Sequence, residues 1–203
     1  MSLFKRLLNP NYKSDEKAKR AKESDRGKYY PEEKLPIDEK FTYFFNKNGG
    51  KFLYCENMAE VLEAFDNILL ENDWYERNVR CFDDNLMTRF KDFNLKFEKD
   101  SPAEFFLSPC EALISKNGSI LLSSNQIKEK NLKELPPNFI VFATTSQLVE
   151  SISEGLRIIK NQSTKYIPSN ITTIQDFETE KEKDFMSYGS STKNLYLLLL
   201  EDL

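Results

Sequence analysis

The chain has 203 residues, 39% of them hydrophobic and 31% charged, with a formal net charge of −4. That is room for one domain with a sizeable core, or one domain and an arm. Histidine is absent, which removes Ser–His–Asp and Cys–His nucleophiles, histidine zinc sites and imidazole proton shuttles together.

The three cysteines, Cys55, Cys81 and Cys110, lie far apart, so neither a disulfide framework nor a zinc or iron–sulfur ligand set is expected. No apolar run approaches the ~20 residues that cross a bilayer. The first ten residues have too short an apolar core for a secretory leader, and a cytoplasmic protein is expected. Charge is unevenly spread: residues 1–35 hold ten Lys/Arg against six Asp/Glu, and the other 168 hold 19 against 27. Residues 1–36 therefore read as a charged, flexible arm, open to lying on the body, on a partner or free in solvent. Residues 37–203 read as the folded domain.

Ile37, Phe41, Phe44 and Phe45 share a helical face that ends at Asn48-Gly49-Gly50. Lys51–Cys55 predicts a first strand. Asn57 and Glu60 start a helix with Val61, Leu62, Phe65, Ile68 and Leu69 on one stripe. Val79–Phe82 predicts a second strand, and Asp83-Asp84 a cap for a helix bearing Leu86, Met87, Phe90 and Phe93. This alternation predicts parallel pairing through right-handed crossovers, with Cys55 and Cys81 ending neighbouring strands.

Residues 111–122 break the alternation: two strand-like runs flank Asn117-Gly118, which predicts a tight two-residue hairpin. Residues 123–134 read as a polar loop. Phe139–Ala143 is apolar throughout, as a strand buried on both faces requires. Thr144 with Gln147 fits a capping box, and Leu148, Val149, Ile152, Leu156 and Ile159 follow at helical spacing. Gly155 beside that stripe would let the helix press close to a sheet. Lys165–Ile167 predicts a short strand, residues 175–188 an exposed charged stretch, and Asn194–Leu200 a buried final strand. The fold class is α/β, with a mainly parallel central sheet, helices on both faces and a β-hairpin insertion.

Four segments in order carry a family resemblance. Leu113–Ser119 stands where a hairpin motif of the form A-I-A-E-T-G-T would be, and Leu135–Val141 matches an L-P-x-x-H-I-x-V strand. Ile167–Gln175 echoes a G-P-S-R-T-A-D-I-E turn, and Gly189–Leu195 loosely echoes G-V-H-G-P-x-x-L. The chain from about residue 37 onward thus resembles the LUD (lactate-utilisation) domain family, in particular lactate-utilisation protein C and its relatives. The resemblance implies the fold of the ribose-5-phosphate isomerase, glucosamine-phosphate deaminase and CoA-transferase superfamily. It implies a part in oxidising lactate to pyruvate, as a non-cluster accessory or small-molecule-binding subunit beside iron–sulfur-carrying partners. Lys116 replaces the acidic residue of the hairpin, and Asn170, Thr173 and Gln175 replace the Arg, Asp and Glu of the Pro-Ser turn, which marks a divergent member.

Ligands of open α/β sheets sit beyond the carboxyl ends of strands. Thr144, Thr145 and Ser146 fall there, suited to a carboxylate or phosphate and equally to a plain helix cap. Lys116, Asn117 and Gly118 could cover that pocket or form an ordinary exposed turn. Ser169, Asn170, Gly189, Ser190 and Ser191 are polar turns that the resemblance brings to the same edge. No cofactor, metal, nucleic acid or membrane partner is implied, and catalysis by this chain stays open. The alternatives are a superfamily enzyme acting on a sugar phosphate or CoA ester, with Glu111 or Asp176 recruited as base, and a non-catalytic interaction module.

Overall fold

A computed structural model describes residues 35–97, 101–162, 166–177 and 193–202. Five strands form a wholly parallel sheet in the order β1-β9-β6-β3-β2. They are β1 (Lys51–Cys55), β2 (Val79–Cys81), β3 (Phe105–Pro109), β6 (Asn138–Thr144) and β9 (Asn194–Leu200). The two most continuously apolar stretches, β6 and β9, take the centre, where both faces must be dry. β1 and β2, which carry Lys51 and Arg80, lie at opposite edges. Cys55 and Cys81 are therefore not neighbours, contrary to the chain-order expectation.

Side-chain alternation along the central strands splits the core in two. Ile140, Phe142, Tyr196 and Leu198 pack under helix α2 (Met58–Asn72) and helix α3 (Asp84–Arg89). Both helices start as the sequence predicts: Asn57 Oδ1 accepts from the Glu60 amide at 3.1 Å, and Asp83 Oδ1 from the Leu86 amide at 2.8 Å. On the other face, Phe139, Val141, Ala143, Leu195, Leu197 and Leu199 meet Phe41 and Phe45 of helix α1 (Ile37–Lys47).

A second sheet shares that face beside α1. Its order is β7-β4-β5-β8, from β4 (Ala112–Ile114), β5 (Ser119–Leu122), β7 (Leu148–Val149) and β8 (Thr172–Ile174). Leu113, Ile120, Leu122 and Ile174 point into the main core; Ala112, Ile114, Leu121 and Val149 point outward, under helix α5 (Ile152–Gln162). The hairpin insertion expected from Asn117-Gly118 is thus the middle of a sheet.

Local readings change for identifiable reasons. Ile114 pairs with Ser119, so the turn has four residues, not two; of the Asn-Gly pair only Gly118 takes a positive φ, +67°. Thr144 and Gln147 do form a capping box, but it starts a single 3-10 turn. Leu148 and Val149 then pair with β4, and α5 begins only at Ile152. Gly155 and Ile159 are its buried line, and a Cβ at Gly155 would lie 2.8 Å from Leu121 Cδ2. The helix does press on a sheet, but on the second one. Residues 123–134 are not a plain loop: Ser123 caps the short helix α4 (Ser124–Ile127), which buries Ile127. Tyr166 and Ile167 are irregular and exposed; the strand in that region is Thr172–Ile174, past Pro168, where β-branched residues pair with β5. Within the charged stretch, Gln175 and Asp176 are exposed but Phe177 is buried, 4.8 Å from the ring of Phe45.

Candidate functional site

The carboxyl ends of β6 and β9 place Thr144, Thr145 and Ser146 beside Asp202. Oδ1 of Asp202 accepts from Thr145 Oγ1 (2.9 Å) and from the Ser146 amide (2.8 Å), and Oδ2 accepts from Ser146 Oγ (2.7 Å). The Asp202 amide donates back to Thr145 Oγ1 at 3.1 Å. Thr144 Oγ1 and Ser146 Oγ lie 2.9 Å apart, and since Ser146 commits its proton to Asp202, Thr144 is the donor there. Desolvation pushes the Asp202 carboxyl upward, but the hydrogen bonds from Ser146, Thr145 and Thr144 outweigh it and hold the group below its ordinary value. The corner is a carboxylate seat, and the chain's own carboxylate sits in it.

Gln147 extends this corner. Its Oε1 accepts from the Thr144 amide at 2.8 Å, and its Nε2 donates to the Cys110 carbonyl, at the end of β3, at 2.6 Å. On the opposite sheet face, the exposed Arg89 at the end of α3 lies 4.9 Å over the Phe142 ring, two residues before Thr144. Tyr54, near the end of β1, donates its hydroxyl to Glu201.

The hairpin turn does not share the Asp202 corner's hydrogen bonds. Lys116 is exposed, and its amide donates to the Glu150 carbonyl at 3.2 Å. Asn117 donates to Gln175 Oε1 (2.9 Å) and its carbonyl accepts from Asn48 Nδ2 (2.8 Å). Gly118 is jammed against α1, where a Cβ would come within 2.3 Å of the Phe45 amide nitrogen. Asn117 and Gly118 thus fasten the second sheet to α1, while Lys116 ties the hairpin to the turn after β7.

The Pro-Ser turn lies elsewhere again, on α4 and the segment after it. The Ser169 amide donates to Ser124 Oγ (3.0 Å), and Asn170, in the left-handed region, donates to the carbonyls of Lys128 and Lys130, both at 2.9 Å. Where the family pattern has an arginine, Asn170 instead ties down a loop. Gly189, Ser190 and Ser191 lie outside the described residues. Cys55, Cys81 and Cys110 are free and buried; burial pushes the first two up to about 11 and the third further. Trp74 stacks on Phe105 with centroids 4.9 Å apart, as a core residue. Sequence reasoning missed Asp202 altogether, since nothing local to Glu201-Asp202 distinguishes it from any charged strand end.

A family model described as LUD domain matches residues 73–199, more than half of the chain. The chain belongs to the LUD-domain family. A crystal structure of a DUF162 family protein from Deinococcus radiodurans shares the fold, with a TM-score of 0.57 and 14% identity. The likeness covers 83% of this chain and 100% of that one. No curated protein matches the sequence. Family membership supports a role related to lactate utilisation at the level of the family. No helix among the described residues is long and apolar enough to cross a membrane.

Proposed function

We infer that this LUD-family protein serves lactate utilisation as a non-cluster accessory subunit that binds a small carboxylate or phosphate metabolite beyond the ends of β6 and β9. The observation that carries this reading is the seat at Thr145 and Ser146, where two hydroxyls and one amide converge on a carboxylate. A small acid would enter by exchanging with Asp202, an exposed side chain that can swing away without disturbing the core. Thr144 backs the seat by donating to Ser146, and Arg89 leaves a cation on the opposite face of the sheet near the same strand end. Partners that carry iron–sulfur clusters would supply the electron chemistry.

Thermal-shift and calorimetric titration with lactate, pyruvate, inorganic phosphate, sugar phosphates and CoA esters tests the reading. A small acid should bind, and Asp202→Ala should bind it several-fold more tightly because the internal competitor is gone. Equal silence from both proteins toward every compound would remove the ligand-binding role.

A further inference from the structure

Among the described residues, Asp38 alone keeps a buried side-chain oxygen that no hydrogen bond reaches, its Oδ1. It lies in the first turn of α1, 5% exposed, at helical spacing from the buried Phe41 and Phe45. Lys40, two residues on, is committed to Glu150. A carboxylate shut away from water without a donor costs stability, so a native chain that keeps one calls for a partner that supplies the donor. Around it in sequence, Leu35 and Ile37 are 52% and 37% exposed, large apolar side chains left in water on either side of Pro36.

α1 returns through residues 48–50 into β1 and lies back along it, with the Phe45 ring 6.4 Å from that of Phe52. Its first turn therefore stands at the carboxyl end of β1, the end of the sheet at which Asp202 meets the hydroxyl trio. Whatever covers that turn must bring a cation and apolar side chains together. Residues 1–34 hold ten Lys/Arg against six Asp/Glu, while the rest of the chain carries the excess of acid. Within them, Leu3-Phe4-Lys5-Arg6-Leu7-Leu8 sets two cations between two apolar pairs, and no acidic residue precedes Asp15. Residues 9–34 join this segment to Leu35, a tether long enough to double back to its own root beside Asp38. Such a tether holds the two surfaces at an effective concentration on the order of millimolar.

We propose that the first turn of α1 is a docking surface for this chain's own residues 3–8. Their apolar pairs lie against Leu35 and Ile37, and the Lys5-Arg6 pair brings a charged donor to Asp38. Oδ1 meets that donor by rotation of the Asp38 side chain, which no hydrogen bond among the described residues holds in place. The contact converts an orphaned acceptor into a charge-assisted pair and covers two exposed apolar side chains at once. It does not depend on whether the Thr145–Ser146 seat takes a ligand.

The test is disulfide trapping in the full chain at high dilution. Ser2→Cys beside the segment is paired with Ile37→Cys, and in a second protein with Tyr43→Cys, which is 48% exposed on the same helix. The three native cysteines are buried and stay out of the reaction. Under a mild oxidant the pair at position 37 should close at least about tenfold faster than the pair at 43, read as monomer mobility on a non-reducing gel. Adding Asp38→Asn should bring the two rates together. So should Lys5→Gln with Arg6→Gln, changes in the arm that leave the residues of the folded domain untouched. Equal rates for the two starting pairs, or a preference that survives both charge variants, would overturn the proposal. Cross-linked dimers in place of monomers would overturn it too, by assigning the surface to a second copy.

Discussion

Ser146 grips Asp202 twice, through its amide on one carboxylate oxygen and its hydroxyl on the other, at 2.8 and 2.7 Å. This clamp joins the turn after β6 to the residues after β9 at the point where the two central strands end. The grip works only on a carboxylate: an asparagine would present an NH2 to one of the two donors.

Asp202→Asn should therefore cost about 1 kcal/mol, the low end for hydrogen bonds to a charged group because the side chain is exposed. Asp202 is held below its ordinary value of 3.8, so its contribution is fully present above that pH. It is lost as pH falls through the folded-state value. Denaturant melts of wild type and variant should run parallel at neutral pH and converge under acid conditions; a constant gap down to pH 2 would contradict the assignment.

Lys193 gives the opposite handle. Its ammonium is buried, donating to the carbonyls of Leu135 (3.0 Å) and Pro136 (2.9 Å) and lying 5.0 Å from the Phe139 ring centroid. Burial lowers it to about 8 from the usual 10.5. Between those values the unfolded chain keeps a proton that the folded chain has released, so the lysine's contribution to stability grows with rising pH. The stability of wild type relative to Lys193→Met should be flat below about pH 8 and climb toward pH 10.5. The variant serves as reference so that cysteine and tyrosine ionisation cancels.

Two glycines should respond unequally to alanine. At Gly118 the backbone has φ +67° and the new Cβ would strike main-chain atoms of Phe44 and Phe45, which cannot yield. A loss of about 3 kcal/mol or more is expected, with the second sheet loosened from α1. At Gly155 the obstruction is the end of the Leu121 side chain, which can turn aside. Alanine also favours the helix by about 1 kcal/mol, so the net change should stay near zero to 1 kcal/mol. Chemical denaturation of the two variants gives the comparison directly.

Thiol reactivity should be gated by opening of the fold. All three cysteines are buried and their thiols are pushed up, so little thiolate exists at neutral pH. A disulfide reagent should modify the native protein orders of magnitude more slowly than the denatured chain, and Cys110 last. Rapid labelling of Cys110 in native conditions would show that the β3 end breathes.

The large sheet was legible because its strands advertise themselves: β1 and β9 run over the residues expected, and the apolar β6 could only be a doubly covered strand. The family too was legible, in four weak motifs whose order mattered more than any one of them. Strand order was not. Chain-order reasoning put β1 beside β2, whereas the burial demands of β6 and β9 drive those strands to the centre. The second sheet escaped notice because its strands are two to four residues long, and Leu148-Val149 fits a helical stripe as well as a strand. At the candidate site the hydroxyl trio could be read from its place after β6. Asp202 could not, because the partnership spans 56 residues and depends on two strands ending in register, Thr144 beside Leu200.

Among the described residues β1 has β9 as its sole partner in the sheet, although 138 residues separate Cys55 from Asn194. While the nascent chain emerges, β1 with α1 and α2 is made early and must wait, its backbone donors and acceptors unmatched, until β9 arrives from the ribosome. Helices α1 and α2 bracket that strand on either side in sequence. Synthesis at ordinary elongation rates makes the delay roughly 7 to 28 seconds, a window in which an unpaired strand edge is open to chaperones.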